Sequence, residues 1–301
     1  MTPAPIALFV YNRPWHTRQT VEALQKNELA SKSDLFIFSD APKKSSQSGL
    51  VNSVRKYINS VTGFKSVVIE EKYINNGLAN SIIGGVSRLC KEFGQVIVLE
   101  DDLVTSPHFL SYMNQALNIY RYNDTVISIH GYVFPIKSKL PETFFLRGAD
   151  CWGWATWDRG WNAFEQNANK LLYEIKYKNL ANQFNYNGAV NNVKMLNDQI
   201  NGKIDAWCIR WHASAFLKNK LTLYPGVSLV HNIGVDATGV HCGSTNYYDC
   251  EVSKQPIDIN DIPVIENEEV RRLVEEYFRN IEIPIVNRIK NRIRRIYNKY
   301  I

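Results

Sequence analysis

Three consecutive acidic residues, Glu100, Asp101 and Asp102, directly follow an apolar run, and this spacing suggests metal chemistry. Like charges this close raise one another's pKa values unless a cation neutralises them. Carboxylate oxygens suit Mg²⁺ or Mn²⁺, which take one or two carboxylates and complete their coordination with water and substrate phosphates. The triplet therefore predicts a divalent-cation site for a diphosphate-bearing substrate, where the metal would neutralise the leaving group. The alternative is that Asp102 is a helix N-cap.

The elements that must position these acids are visible in the first third of the chain. Four short apolar runs predict strands buried on both faces of a parallel sheet, and helical patterns lie between them. The predicted strands are residues 6–10, 35–38, 67–69 and 96–99. Each run is followed within a few residues by polar, glycine or proline residues, and ligands bind outside the carboxyl ends of parallel strands. The pattern favours a ligand cleft over four unrelated polar loops.

The second half of the chain carries a tryptophan cluster, which has two interpretations. Its members are Trp152, Trp154, Trp157 and Trp161. They form either part of the core or a flat apolar platform on which a sugar or base stacks. Further on, apolar runs at 221–224 and 227–230 predict two strands around a Pro-Gly turn.

Composition and cysteine usage limit the class of protein. The chain has 301 residues, 45% of them hydrophobic and 21% charged, which is typical of a soluble globular protein, and its net charge of +6 suits an anionic ligand or an anionic membrane. Five cysteines without a CxxC pair give no disulfide framework and favour reduced thiols in the cytoplasm. We expect no secretory signal, no transmembrane helix and no nucleic-acid partner.

The missing motifs exclude several nucleotide-binding and hydrolytic classes. The sequence has no GxGxxG after the first strand and no GxxxxGK[ST], so a dinucleotide-binding fold and a P-loop NTPase are not expected. It has no GxSxG nucleophile elbow. Cys242 and Cys250 with His231 and His241 match no common zinc spacing.

The last residues, 285–301, alternate isoleucine and tyrosine with arginine and lysine at helical spacing. This pattern predicts a basic amphipathic helix. The helix either docks on the body of the protein or lies on the anionic inner face of the cytoplasmic membrane.

Taken with these residues, the sequence resembles the GT-A fold nucleotide-sugar glycosyltransferases over about residues 5–243. It is most similar to bacterial family 2-type enzymes and the N-acetylglucosaminyltransferase I group. The motifs that carry the resemblance are PIALFVYNRPWHTRQTVEAL, FSDAPK, NNGLANSI, VIVLEDD and ADCWGWATW. The resemblance implies an α/β fold of GT-A type, with a Rossmann-like, mostly parallel central sheet flanked by helices. It implies a catalytic domain at 1–265, with a nucleotide-binding half (1–105) and an acceptor-binding half (106–265), and a helical tail at 266–301.

The resemblance also implies a set of residues that bind the nucleotide-sugar donor, preferably a UDP-sugar. Asp40 would lie near the base or ribose, and Asp101 would face the ribose or donor sugar. The full set is Tyr11, Asn12, Arg13, Asp40, Gly77, Leu78, Ser81 and Asp101.

Metal and catalytic roles follow from the same resemblance. The EDD triplet would stand in for a DXD motif, with Asp102 as the direct Mn²⁺ or Mg²⁺ ligand. His241, or His231, would reach the metal or diphosphate from a glycine-bearing loop. Asp205 matches the position of the general base, although it could also be an N-cap or a surface acid.

These roles imply an inverting transfer of a sugar to a glycan or lipid-linked acceptor, in synthesis of bacterial surface polysaccharide such as capsule or O-antigen, or of other glycoconjugates. Two other functions remain open: a sugar-phosphate nucleotidyltransferase, and a carbohydrate-binding protein without catalysis. The first would release pyrophosphate instead of a nucleoside diphosphate, and the second would bind no nucleotide.

Overall fold

The computed structural model describes residues 2–236 and 247–281, and an eight-stranded sheet lies at its centre. Strands and helices alternate in the first third of the chain, as the apolar runs predict. The elements are β1 (Ile6–Val10), α1 (Pro14–Gln25), β2 (Asp34–Ser39), α2 (Ser48–Ile58), β3 (Ser66–Glu71), α3 (Leu78–Phe93) and β4 (Gln95–Glu100). Short 3₁₀ turns occupy Ala30–Lys32 and Ser45–Gln47.

The rest of the chain mixes helices and strands without this regular alternation. The strands are β5 (Leu103–Thr105), β6 (Val126–His130), β7 (Thr143–Arg147), β8 (Trp154–Trp157), β9 (Leu221–Pro225) and β10 (Val230–Asn232). The helices are α4 (Phe109–Ile119), α5 (Asp158–Trp161), α6 (Ala168–Tyr177), α7 (Ala181–Phe184), α8 (Asn192–Ile200), α9 (Trp207–Leu217) and α10 (Glu268–Asn280).

The central sheet has the order β3-β2-β1-β4-β8-β6-β9-β7 and is mixed. Strands β1 to β4 are parallel to one another, and β6 is parallel to β9, whereas β8 is antiparallel to both β4 and β6, and β7 is antiparallel to β9. The parallel arrangement expected from the sequence is therefore continuous only in the first four strands. It places the carboxyl ends of β1 to β4 at one edge of the sheet.

Of the two strands expected around the Pro-Gly turn, the first, at 221–224, is confirmed as β9, whereas the second, expected at 227–230, is wrong because the strand begins only at Val230. β9 ends at Pro225 and lies in the central sheet, whereas β10 begins at Val230 and pairs antiparallel with β5 in a separate two-stranded sheet. The two strands therefore go to different sheets, and the turn links them without forming a hairpin. Because β5 follows directly after the acidic triplet, the pairing places β10 beside the triplet.

Helices cover both faces of the central sheet. Alternate residues of β1 divide between two clusters, with Leu8 in the cluster that includes α1, α2 and α4 and Phe9 in the cluster that includes α3 and α9. The tryptophans contribute to this core: Trp154 is fully buried, with its ring centroid 5.5 Å from that of Trp207 and 5.7 Å from that of Trp211. The buried-core interpretation therefore applies to Trp154, and also to Trp157 and Trp161, which are 4% and 5% exposed.

Helix α10 packs on the far edge of the sheet. Its Val270 and Val274 join a cluster with Phe144 and Leu146 of β7. The side chain of Asn267 caps the helix by accepting a hydrogen bond from the backbone N–H of Val270 at 3.0 Å. The predicted basic helix at 285–301 lies outside the described residues. Within the described part of the chain, no helix has the length and apolarity needed to cross a membrane.

Gly85 allows α3 to approach the sheet closely, and we expect Gly85→Ala to lower the free energy of unfolding by about 1–3 kcal/mol through overpacking. A Cβ at this position would lie 2.8 Å from Cζ of Phe9 and 3.1 Å from Cζ of Phe38, both in the core. The matched control is Gly84→Ala, whose Cβ would meet nothing within 4 Å. We expect that exposed change to stabilise the helix slightly. Urea denaturation measures both, and equal effects would contradict this account of the packing.

Candidate functional site

The acidic triplet lies at the edge of the sheet where β1 to β4 end. Glu100 is the last residue of β4, and Asp101 and Asp102 form the turn into β5. Asp102 is therefore followed by a strand, and the helix N-cap alternative does not apply. Because neighbouring parallel strands end at the same edge, the loops after β1, β2 and β3 lie beside this turn.

Arg13 is the centre of a cluster of carboxylates. Its Nη1 lies 2.7 Å from Oδ2 of Asp102 and 3.9 Å from Oδ1 of Asp101, and its Nη2 lies 3.6 Å from Oδ1 of Asp236. The Asp236 carboxylate also lies 3.0 Å from Nε2 of His16 in α1. Three carboxylates around one guanidinium give the site a surplus of negative charge and several hard oxygen ligands.

Backbone contacts hold Asp101 in this arrangement. Its Oδ2 accepts a hydrogen bond from the backbone N–H of Tyr11 at 3.3 Å, and its carbonyl accepts one from Oγ1 of Thr20 at 2.9 Å. The loop after β1 and the first helix therefore both fix the turn that carries the acids. Asp101 is buried, with 8% of its surface exposed.

Burial and like charge raise the pKa values of two members of the triplet. The pKa of Glu100 is raised by desolvation first and then by the charges of Asp102 and Asp101, and the indole N–H of Trp207 and the guanidinium of Arg13 oppose the shift. The pKa of Asp101 is raised by the same two causes, with Asp102 as the neighbouring charge. The negative charge of the acidic side chains here therefore exceeds the positive charge of the neighbouring cationic side chains. A bound cation would relieve the repulsion between the carboxylates.

The segment after β10 closes over Asp102. The backbone N–H of Ile233 donates to the Asp102 carbonyl at 2.9 Å, and a Cβ on Gly234 would lie 2.0 Å from Oδ2 of Asp102. Only a glycine permits this close approach, which also brings Asp236 to Arg13. His231 lies in β10 opposite Val104 of β5. His241, the other histidine expected at the metal, lies in the stretch 237–246, outside the described residues.

Asp40 holds the loop that begins α3. Its Oδ2 accepts hydrogen bonds from the backbone N–H groups of Asn76 at 3.1 Å and Gly77 at 2.9 Å, and its Oδ1 accepts from Ala41 at 2.8 Å. Gly77 has φ +77, a conformation that favours glycine, and it is the N-cap position of α3. The carboxylate of Asp40 therefore connects the ends of β2 and β3, and its oxygens are used within the protein.

We expect Asp40→Asn to lower the free energy of unfolding by about 2 kcal/mol, because hydrogen bonds to a charged acceptor are the stronger kind and an amide NH₂ cannot accept them. Urea denaturation gives the value. Asp34→Asn, at the opposite end of β2, is the control, since its carboxylate contacts the more exposed Lys65 at 2.9 Å and Ser66 at 2.6 Å. A loss after Asp40→Asn no larger than the control's would mean that the loop is held by other contacts.

Asp205 lies at the same edge of the sheet. A Cβ on Gly77 would be 3.5 Å from Oδ2 of Asp205, and the Asp205 side chain is 55% exposed, with Nη2 of Arg210 at 3.9 Å from its Oδ1. Ala206, not Asp205, is the N-cap of α9, and its side chain makes no cap hydrogen bond. Two residues after Asp205, Trp207 hydrogen-bonds to the Glu100 side chain. This contact anchors the start of α9 beside the triplet and leaves the Asp205 carboxylate accessible to solvent.

The other residues expected at a donor site lie at the start of α3 and in the loop after β1. Ser81 donates its backbone N–H to the Gly77 carbonyl at 3.1 Å, and Leu78 is 41% exposed. Asn12 is half-buried in the loop after β1, between Tyr11 and Arg13. Asp40 and Ser81 border a cavity of about 210 Å³ between α3 and the ends of β2 and β3. The lining residues are Phe38, Ser39, Asp40, Glu70, Lys72, Asn76, Asn80, Ser81, Gly84, Gly85 and Arg88.

Two contacts of the site were not foreseen from the sequence. The ion pair of Arg13 with Asp236 joins positions more than two hundred residues apart, and no local pattern indicates it. The hydrogen bond between Trp207 and Glu100 also joins positions that are far apart in the sequence. The only available signal was that Asp236 stands in a glycine-bearing loop near the histidines.

Comparisons with known proteins give limited similarity. No protein-family model matches the sequence, and no curated protein matches it. Among solved structures, the chain is similar to the mannosyltransferase PcManGT from Pyrobaculum calidifontis in complex with GDP-Man and Mn²⁺, at 13% identity and a TM-score of 0.33, over 45% of this chain and 39% of that one. It is also similar to TarS from S. aureus, at 12% identity and a TM-score of 0.32, over 50% of this chain and 28% of that one. The chain thus aligns with well under two thirds of each, and likeness at this level establishes no shared activity.

Proposed function

We propose that the protein is a metal-dependent glycosyltransferase of GT-A type, which moves a sugar from a nucleoside-diphosphate donor to an acceptor hydroxyl. The observation that carries this proposal is the group of carboxylates from Asp101, Asp102 and Asp236 around Arg13, at the carboxyl ends of parallel strands. A diphosphate needs positive charge, and this site offers a guanidinium together with oxygen ligands for a divalent ion.

The donor set fits Mn²⁺ or Mg²⁺, because it consists of carboxylate oxygens crowded by like charge. Asp102 would be the direct ligand, assisted by Asp101 or Asp236, and His241 would contribute from the loop that follows. The ion would neutralise charge on the diphosphate. Arg13 already pairs with Asp102, so ion binding would release its guanidinium to contact a phosphate oxygen.

The nucleoside would lie along the loops after β1, β2 and β3. Tyr11, Asn12 and Arg13 would face it from one side, and Gly77, Leu78 and Ser81 from the start of α3, whose N-terminus favours an anionic group. Asp40 would act indirectly, because its oxygens accept the hydrogen bonds that shape the Asn76–Gly77 turn. We propose uridine as the base from the sequence resemblance.

Asp205 would be the general base. Its exposed carboxylate lies at the edge that Gly77 lines, and no helix-capping hydrogen bond occupies it. It would accept the proton of an acceptor hydroxyl as that oxygen attacks the anomeric carbon, and the nucleoside diphosphate would leave from the opposite face. This geometry predicts inversion at the anomeric carbon.

The acceptor would be a glycan or a lipid-linked saccharide of bacterial surface polysaccharide or glycoconjugate synthesis. We propose that the basic stretch 285–301 brings the enzyme to the anionic cytoplasmic face of the membrane, because its lysines and arginines alternate with apolar residues. Deleting 285–301 is expected to weaken binding to liposomes that contain anionic lipid and to leave nucleotide binding unchanged. Equal liposome binding by the truncated protein would contradict this role.

Product identification separates the candidate functions. Purified protein is incubated with UDP-, GDP- and dTDP-sugars and Mn²⁺, and the released nucleotide is identified by chromatography. A glycosyltransferase releases the nucleoside diphosphate, by slow hydrolysis of the donor when the acceptor is missing. A nucleotidyltransferase given the nucleoside triphosphate and a sugar phosphate releases pyrophosphate. Neither product would appear with a carbohydrate-binding protein, and that result would overturn the proposal.

A further inference from the structure

A second group of side chains with metal-ligand chemistry lies near Glu100 and differs from the triplet in containing sulfur. It consists of Asp150 and Cys151, in the loop before β8, and Cys208, in the first turn of α9. One ligand atom from each of the three lies within 4.8 Å of the other two, and the two thiols are close enough to hydrogen-bond to one another. We propose that these residues form a site for a thiophilic divalent cation of the Zn²⁺ type.

The donor set and its spacing suit such an ion. Zinc binds sulfur at about 2.3 Å and carboxylate oxygen at about 2.0–2.2 Å, so tetrahedral ligands lie roughly 3.5–3.8 Å apart. Zinc binding would therefore require the ligand atoms of the three side chains to move closer together by about an ångström at most. Three protein ligands leave a fourth position for water or an exchangeable ligand, as in zinc sites that are not purely structural.

The loop that presents two of the ligands is well fixed. The backbone N–H of Cys151 donates to Oδ1 of Asp150 at 2.9 Å, and the backbone N–H of Trp152 donates to Nε2 of His130 at 3.1 Å. On the other side of the site, Cys208 follows the buried Trp207. Both ends of the cluster are therefore held by the core, so that binding would require little reorganisation.

The electrostatic surroundings also favour a cation. The carboxylates of Asp150 and Glu100 lie close enough to the thiols of Cys151 and Cys208 for their negative charge to contribute to raising the pKa values of both thiols. A pair of thiols beside two carboxylates is a site for a thiophilic ion, whereas the oxygen-only cluster at Asp102 suits a hard ion. The two sites would therefore select different metals.

An ion here would connect the loop before β8 to the start of α9. Cys208 is three residues after Asp205, so the ion would restrain the segment that carries the proposed base. Binding or loss of the thiophilic metal would therefore change how firmly the acceptor side of the cleft is held in position.

Cobalt is a spectroscopic probe for this site. The full-length protein, kept reduced with a phosphine and free of nucleotide, is titrated with Co²⁺ while thiolate-to-cobalt charge-transfer absorption is recorded. We expect a charge-transfer band that saturates at one Co²⁺ per chain and disappears when Zn²⁺ displaces the cobalt. Cys151→Ser and Cys208→Ser should each weaken binding at least tenfold, and Asp150→Asn should weaken it less.

Matched controls exclude other thiols and the acid cluster. A Cys242→Ser/Cys250→Ser double variant and Asp102→Asn should both retain the band, so the result is independent of the proposed glycosyltransferase function. If the cysteine variants fail to fold, the wild type alone decides, because Zn²⁺ should protect Cys151 and Cys208 from alkylation in peptide mapping. No charge-transfer band, a band that survives Cys208→Ser, or no protection would overturn the proposal.

Discussion

Asp205→Asn is expected to lower the rate constant of sugar transfer by about a hundred- to ten-thousand-fold, the usual contribution of general-base assistance. The amide keeps the shape of the side chain and cannot accept the proton. Because Asp205 is exposed and makes no cap hydrogen bond, the fold should be unaffected. Donor affinity should change little, since the proposed role begins only when the acceptor is present. Steady-state kinetics with saturating donor and calorimetric donor binding measure the two quantities.

A matched control uses the same chemical change nearby. Asp198→Asn, on α8, removes a carboxylate that contacts Lys194 and Lys203, and we expect transfer within about twofold of the wild type. If Asp205→Asn retains more than a tenth of the wild-type rate constant, another group is the base. If donor binding falls by the same factor as transfer, Asp205 supports the turn at Gly77 and has no role in proton transfer.

Asp102→Asn is expected to abolish metal-dependent donor binding, with an affinity at least a hundredfold lower in the presence of Mn²⁺. The amide oxygen is a weaker ligand for a hard cation than a carboxylate, and the variant also removes the partner of Arg13 at 2.7 Å. Without metal, the variant and the wild type should bind nucleotide about equally weakly. Isothermal titration with and without Mn²⁺ gives the four affinities.

The effect on stability separates metal binding from folding. Asp102 is one of three adjacent acids, and its charge raises the pKa values of Glu100 and Asp101. Removing that charge relieves repulsion while breaking the contact with Arg13, so we expect a melting temperature near that of the wild type in the absence of metal. A variant that binds donor and Mn²⁺ normally would show that the triplet is structural.

The local pattern of the first third of the chain was sufficient to predict its strands. β1 has the predicted bounds, and β2, β3 and β4 each extend the predicted run by one or two residues at either end. Continuous apolar runs are easy to recognise in β1, β2 and β4, which are buried on both faces, whereas β3 lies at the edge of the sheet and its Val68 is 40% exposed, so the expectation of burial on both faces is wrong for that strand. Strand β8 was harder to predict, since Trp154 and Trp157 belong to an aromatic segment that fits a core or a binding platform equally well.

The candidate site was predictable to the extent that it depends on strand ends. Tyr11 and Asp40 follow β1 and β2, and the triplet begins at the last residue of β4, so parallel pairing brings them to one edge. The contacts of Asp236 and Trp207 depend on β10 pairing with β5 and on α9 packing under β4. No local sequence pattern predicts these long-range contacts. The residues around Pro225 do not indicate that β10 pairs with β5 and not with β9.

The most direct measurement is the melting temperature of the wild-type protein with UDP, GDP, dTDP and ADP, each with and without Mn²⁺. A ligand that binds only the folded state stabilises it by mass action, about 2.7 kcal/mol at a hundredfold excess over the dissociation constant, or roughly 5 °C for a chain of this size. We predict a rise of that order for one nucleoside diphosphate, preferably UDP, that depends on Mn²⁺. No rise with any nucleotide would contradict the account, and the acids at the strand ends would then serve the fold alone.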